Sequence, residues 1–309
     1  MKNALKNIKR TLKKPWLLYV KYTIRSLLST ESPCLHFWIK PQTMPYRLHV
    51  QPYNWGDYMN IVLGKLICGR DVIPYEYVIG GQSRNLKSIL MLGSIVPWGV
   101  TDNTEIWGAG WHYEDEKFPD VHNKPKVYSV RGPLTRQMLL KYGIECPKIY
   151  GDPILLLPRY YKPMTRPKYK YGIVYHFTKK DEVEALRYSI EENLQSVLWI
   201  NPNEFKKWTD FIDRIRECEI ILSSSLHGLI VADAYRVPNV WICISDEEKN
   251  HGYFKYHDYF LSVKRQNQSH PKNILKLDIE QIKQDITLWH EPEIDLDTLL
   301  NVCPFKRKK

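Results

Sequence analysis

Residues 219–235 read Glu-Ile-Ile-Leu-Ser-Ser-Ser-Leu-His-Gly-Leu-Ile-Val-Ala-Asp-Ala-Tyr, and this stretch decides the fold. Positions 220–222 are aliphatic, two of them β-branched, and with Glu219 predict a strand over 219–222. Positions 226–235 are apolar with good helix formers and predict a helix. Only three serines lie between, so the chain turns from strand to helix with no intervening loop. A helix start carries amide N–H groups without intrahelical partners and the positive end of the helix dipole. With the hydroxyls of Ser223, Ser224 and Ser225 beside it, the turn reads as an anion cradle. His227 falls in the first helical turn, where the dipole favours its neutral form, and Gly228 opens room for a ligand. A lone histidine packed for structure alone is the competing reading.

Outward from this turn the second half of the chain keeps alternating. It predicts strand 171–177, helix 181–190, strand 197–200, helix 204–218, strand 219–222, helix 226–235 and strand 239–244. Trp208, Phe211, Ile212 and Ile215 give the middle helix its buried face. The first half predicts strand 47–51, helix 57–68, strands 87–92, 104–107 and 126–130, helix 133–142 and strand 148–150. Met59, Val62, Leu63, Leu66 and Ile67 follow the three-four spacing, and Gly69 supplies a left-handed stop. Pro133 opens the other helix and Gly143 closes it. Alternation of this kind predicts parallel sheets with crossover helices. No internal sequence repeat is present. Prolines at 158, 163 and 167 mark 158–169 as a linker. The fold class is therefore α/β, with two Rossmann-like domains facing a central cleft. They span 45–160 and 161–265, flanked by a basic amphipathic helical segment at 1–44 and a helical extension with a basic tail at 266–309. A ligand cleft is expected at the carboxyl ends of both sheets.

The 309 residues and their 43% apolar content suffice for two such cores. The formal charge of +11 suggests nucleic acid until its placement is considered. Residues 1–30 carry eight basic and no acidic side chains, and 306–309 carry four more basic ones, leaving the body at −1. A basic stripe for a phosphate backbone is missing, so no nucleic-acid partner is expected. The six cysteines show no C-x-x-C pair, which fits thiols in a reducing cytosol rather than a disulfide or zinc scaffold. In the first 28 residues, lysines mix with Leu5, Ile8, Leu12, Trp16, Leu17, Val20, Ile24, Leu27 and Leu28 at roughly helical spacing. The longest apolar run, 16–20, is far short of the roughly 20 residues of a membrane span and shorter than a signal-peptide core, which argues against export. The segment suits a helix lying on an anionic membrane surface, with Pro15 breaking or kinking it. A solvated tail, or a helix packed on the body, fits the same pattern.

Three further places hold candidate chemistry. In Asn54-Trp55-Gly56-Asp57, Gly56 permits close backbone approach, Asp57 either caps the helix or faces the cleft as a proton acceptor, and Trp55 offers a sugar-stacking face or is core. The runs 92–99 and 107–111 place Gly93, Ser94, Gly108 and Gly110 just after strands. There backbone amides line a small-molecule site or simply turn the chain. Arg131 ends a strand immediately before Pro133 starts a helix, where its fork presents a two-pronged cation to a carboxylate or phosphate, or forms a surface salt bridge. Asp152, in Gly151-Asp152-Pro153, is read as a structural cap. No metal-ligand spacing is seen.

In this order, the motifs N-W-G-D at 54, L-G-S-I at 92, W-G-A-G at 107, S-V-R-G-P-L-T at 129, Y-G-D-P-I-L-L-L-P at 150 and S-S-L-H-G-L-I-V-A-D-A-Y at 224 resemble the polysaccharide pyruvyltransferase family from 47 to about 260. The resemblance implies a GT-B-like fold and an enzyme of polysaccharide biosynthesis, in exopolysaccharide or capsule. It would move the pyruvyl group of phosphoenolpyruvate onto two hydroxyls of a sugar as a cyclic ketal, with no cofactor and no metal. Asp57, Arg131 and His227 align with the family's cleft residues, and the glycine loops would help hold phosphoenolpyruvate. His227 would protonate the donor's methylene carbon, Asp57 would assist the attacking hydroxyl, and Arg131 with the serine turn would hold the anions. Many members carry arginine just before L-H-G, where this chain has Ser225, so Arg131 does more or Lys255 takes over. The acceptor is a sugar, free in a polymer or on an undecaprenyl-linked oligosaccharide, reached from the cytoplasm at the inner face of the membrane. A GT-B glycosyltransferase using a nucleotide sugar, and a non-catalytic adaptor keeping the fold, are the rival readings.

Overall fold

The computed structural model describes residues 16–29, 31–39, 54–81, 84–176, 179–244, 253–265 and 270–307. The strand expected at 47–51 lies outside them, as do residues 1–15 of the basic segment. The first unit comprises α1 (Trp16–Leu28), β1 (Cys34–Leu35), α2 (Trp55–Cys68), β2 (Ile73–Pro74), β3 (Ser88–Leu90), α3 (Val96–Gly99), β4 (Thr104–Trp107), β5 (Lys126–Ser129) and α4 (Pro133–Lys141). A 3-10 helix, Pro153–Arg159, leads to the second unit. That unit comprises β6 (Tyr169–Val174), α5 (Lys180–Asn193), β7 (Val197–Ile200), α6 (Asp210–Arg216), β8 (Cys218–Ser223), α7 (Leu226–Ala234), β9 (Asn239–Cys243), α8 (Tyr253–Ser262), β10 (Lys272–Asn273), α9 (Ile279–Thr287) and α10 (Leu296–Asn301).

Each unit is built on a five-stranded parallel sheet, in the orders β2-β1-β3-β4-β5 and β10-β9-β8-β6-β7. Numbered within its own unit, each sheet runs 2-1-3-4-5, the doubly wound order whose ligand site falls where the connections change direction, beyond the carboxyl ends of strands 1 and 3. The sequence carries no repeat, yet the two halves share one topology. In the second unit the switch point lies between β6 and β8, where Val174 stands opposite Ser223.

β4 and β7 fall where the alternation placed them, and Gly69 caps α2 in the left-handed region (φ 71°), its N–H bonded to the Lys65 carbonyl. Three expectations are corrected. The helix expected at 204–218 forms only over Asp210–Arg216, because the Asp210 carboxylate captures the amides of Lys206 and Lys207 at 2.9 Å and the Asn201 side chain takes that of Asn203. The strand expected at 148–150 shrinks to one bridge between Val130 and Tyr150. β3 stops at Leu90 instead of 92, and the Leu92 amide bonds to the Asn60 side chain. β1 lies within the stretch read as the N-terminal segment and runs between β2 and β3.

The largest apolar cluster crosses between units, joining Trp107, Ile154 and Leu156 to Phe211, Ile230 and Val231. α7 is buried almost all round, as a helix in the middle of a protein must be. Residues 294–307 return to the first unit. The Trp107 indole donates to the Leu299 carbonyl, Phe305 meets the Trp107 ring edge-on, and the Arg307 amide donates to the Ile67 carbonyl. Behind this, Asp233 accepts from Asn239, Tyr259 and Trp289, and Arg265 donates to Asn239, forming a satisfied polar cluster between α7 and α8. All six cysteines are buried, and none forms a disulfide. Among the described residues, no helix is long and apolar enough to cross a membrane.

Candidate functional site

The turn from β8 into α7 is knitted by its own serines. The Ser223 hydroxyl donates to the Ser225 carbonyl and accepts from the Ser225 amide, so it is fully used. The Ser224 hydroxyl accepts from the His176 amide at 3.1 Å, and the Ser224 carbonyl accepts from the Tyr256 hydroxyl. Ser225 occupies the cap position, but its side chain bonds none of the first-turn amides. The helix start is therefore left without a side-chain cap, the condition for anion binding. Gly228 does not open space as expected. A Cβ there would fall 2.4 Å from the Ser223 hydroxyl and 2.8 Å from Val174, so the glycine lets α7 pack against β6.

α2 brings the second group. Asn54 is the cap, its side chain accepting from the Gly56 amide at 2.9 Å, which leaves the Asp57 carboxylate free of capping duty. Trp55 is core. It is fully buried, its indole donates to the Trp208 carbonyl at 2.7 Å, and its ring lies against Phe211, with no face for a sugar. Gly56 meets the imidazole of His227, for a Cβ there would lie 2.0 Å from its Cε1. His227 packs on Gly56 and Asp57 follows that glycine in the chain; both are half-buried. Burial pushes the Asp57 carboxyl up to about 7. Burial, then Lys255, Arg131 and His176, hold His227 down at about 3.

Arg131, at the end of β5, is 1% exposed. Its Nη1 donates to the Ser94 hydroxyl and its Nη2 to the Trp111 carbonyl, both at 2.7 Å, while Nε lies 3.3 Å from the Asp258 carboxylate. The fork expected to grip a ligand is spent on protein acceptors, and the pair it forms is buried rather than superficial. Asp258 also accepts from the Thr135 amide and hydroxyl, which ties α8 to the start of α4. Gly110 exists for this arginine, since a Cβ there would lie 2.3 Å from Cζ. Gly93 (φ 101°) and Gly108 (φ 90°) turn the chain in the positive-φ region, and the Gly93 carbonyl accepts from Gly110. Ser94 serves Arg131.

Lys255, on α8, reaches the first unit, its Nζ 3.2 Å from His112 Nε2. Two histidines that the sequence reading did not single out belong here. His112 follows β4 and His176 follows β6, each just past the carboxyl end of a parallel strand; that position is the signal that singles them out. Burial, then Lys255, Arg131 and His176, hold His112 at about 3. Burial, then Lys255 and Lys179, hold His176 at about 4. Three neutral imidazoles among fixed cations, next to an uncapped helix start, form a positive site suited to a small anion. Among the described residues, no three His, Cys, Asp or Glu are grouped to hold a metal. Two cavities of about 930 and 610 Å³ lie elsewhere, one beside Arg70, Lys87 and Arg307, the other beside Tyr161, Tyr235 and Glu291, and neither includes these groups.

Comparison with known proteins gives two kinds of match. Residues 104–245 match the model of the polysaccharide pyruvyl transferase family. That stretch contains His112, Arg131, His176 and His227, whereas Asp57, Ser94 and Lys255 lie outside it. The chain is similar to the succinoglycan biosynthesis protein ExoV of Rhizobium meliloti (strain 1021), 28% identical over 222 residues, which is 70% of this chain and 63% of that protein. It is similar to the uncharacterized protein L143 of Acanthamoeba polyphaga mimivirus, 28% identical over 260 residues, 81% of this chain and 84% of the relative. No solved structure matches the chain.

Proposed function

From the polysaccharide pyruvyl transferase domain at residues 104–245, we propose that this chain transfers pyruvate from phosphoenolpyruvate to two hydroxyls of one sugar, forming a cyclic ketal and releasing phosphate. The acceptor is a sugar of a polysaccharide or of its lipid-linked precursor, met on the cytoplasmic side, in a GT-B-like cleft between the units. One observation carries the reading. His227, packed against Gly56, and Asp57, the next residue along, form no side-chain hydrogen bond or ion pair among the described residues, while Ser223, Ser224 and Arg131 are all engaged.

The donor brings a carboxylate and a phosphate into a site held positive by Lys255, with Arg131 behind it. His112, His176 and the open amides of α7 complete its binding site, and Lys255 stands in for the arginine that Ser225 replaces. Burial first, and then the same cations, keep His227 unprotonated when the site is empty. Donor charge offsets them, so His227 gains a proton as phosphoenolpyruvate binds. His227 then gives that proton to the methylene carbon, and the neighbouring carbon becomes electrophilic. A sugar hydroxyl attacks it, its proton passing to Asp57, whose raised affinity suits a base near neutral pH. The carbon–oxygen bond to phosphate breaks, a second hydroxyl closes the ketal, and its proton returns to His227. Arg131 positions the Ser94 and Trp111 loops without touching the donor.

Incubating the purified chain with phosphoenolpyruvate and a panel of glycosides tests this. Phosphate release matched by a pyruvate-ketal mass gain on the sugar is expected, and turnover should vanish in His227→Ala. Release of a nucleoside diphosphate from a nucleotide sugar, with no ketal formed, would instead establish a glycosyltransferase.

A further inference from the structure

α1 has two apolar sides, and only one is used by the fold. Leu18 and Tyr22 are sealed against the edge of the first sheet near Ile73, Tyr75 and Tyr77. The Ile79 amide donates to the Thr23 hydroxyl, and Arg25 pairs with Asp71 at 3.0 Å. These contacts fix the rotation of the helix. On the opposite side, Trp16 (46% exposed), Val20 (39%), Ile24 (49%), Leu27 (65%) and Leu28 (81%) form a continuous stripe. Their spacing of four, four, three and one keeps all five within a third of the helix circumference. A contiguous row of large apolar side chains left in water marks an interaction surface.

We propose that this face of α1 docks on the surface of a bilayer containing anionic lipid, with the stripe at the boundary between headgroups and acyl chains. Charge selects the occupant. The sequence immediately before the helix contains Lys2, Lys6, Lys9, Arg10, Lys13 and Lys14 and no acidic residue, and Lys21 and Arg25 follow within α1. A second copy of the chain on the same face would bring two such segments together and repel, whereas lipid phosphates attract them. Thirteen residues reach only about 20 Å and cannot cross the bilayer, so the helix lies in the plane of the interface. The inference does not depend on the pyruvyl reaction. It would hold the enzyme where a lipid-linked acceptor is presented.

Co-sedimentation of the full chain with vesicles of phosphatidylcholine alone, or mixed with phosphatidylglycerol, tests it. Binding to the mixed vesicles is expected, weakened by salt, with little binding to the neutral ones. Ile24→Glu with Leu27→Glu should lower the partition coefficient at least about tenfold and leave the melting temperature unchanged, because both side chains already face water. Lys13→Glu with Lys14→Glu, outside the apolar stripe, should lower it by a similar factor at low salt. No binding to mixed vesicles, or equal binding by the Ile24→Glu, Leu27→Glu chain, overturns the proposal. So does a dimer in solution that the same variant dissociates.

Discussion

Replacing Gly56 by alanine isolates the geometry on which the proposed chemistry rests. The added methyl would sit 2.0 Å from Cε1, 2.1 Å from Nδ1 and 2.4 Å from Nε2 of His227. Ordinary contact begins near 3.4 Å, so the imidazole must retreat by about 1.4 Å. A misplacement of about 1 Å in a reacting group costs on the order of a hundredfold in rate. The fold suffers less. Alanine favours a helix over glycine by roughly 0.5–1 kcal/mol, which offsets much of the roughly 1–3 kcal/mol of overpacking. Gly56→Ala should therefore lose about two orders of magnitude or more in kcat for phosphate release, while its melting temperature moves by only a few degrees. Adding Gly56→Ala to His227→Ala should cost no further activity, because the ring it displaces is gone. A Gly56→Ala chain with full kcat and an intact fold would refute the placement of His227 at the reacting carbon.

Asp57→Asn should remove the rise in rate near pH 7 and lower kcat by about 10²–10⁴. It should also stabilise the protein. The Asp57 carboxyl titrates near 3.8 unfolded and about 7 folded, so the native state is penalised progressively as pH climbs between those values and fully above 7. Chemical denaturation at pH 4 and pH 8 should thus find the variant equal at the first and more stable by about 1–3 kcal/mol at the second; equal stability at both would sink the pKa assignment. Arg131→Met leaves Asp258 buried without its cation and should cost about 3–5 kcal/mol, seen as a large drop in melting temperature. An unchanged melt would mean the pair is not closed in solution. Lys255→Met should raise the KM for phosphoenolpyruvate about tenfold to a hundredfold with a smaller change in kcat, and an unchanged KM would remove Lys255 from the donor site.

Where the sequence carries local information the elements follow it. The aliphatic run ending in three serines becomes β8 and α7, and Gly69 and Gly143 take the left-handed conformations that ending a helix demands. Two-residue strands such as β1 and β2 leave no periodicity to detect; β1 is held by pairing with β3, and β2 by pairing with β1. The shortened α6 reflects a competition that apolar spacing cannot reveal, in which one carboxylate claims the amides a longer helix needs. At the site, the strand-to-helix turn made His227 conspicuous. The surroundings of Arg131 were illegible because its partner Asp258 lies 127 positions downstream and arrives on α8. His112 and His176 are single histidines in unrelated segments, and only the matching topology of the two sheets brings both to strand ends beside Lys255.

The return of residues 294–307 to the first unit has a consequence for biosynthesis. Leu299, Cys303 and Phe305 complete a core whose other walls, Trp107 among them, belong to the first unit. As the nascent chain leaves the ribosome, the first unit emerges with that wall open and must wait for residues 294–307 before it can seal. Ribosomal stalling or premature termination before residue 294 would release a product with most of its secondary structure and a sticky, unfinished flank, a natural substrate for chaperones.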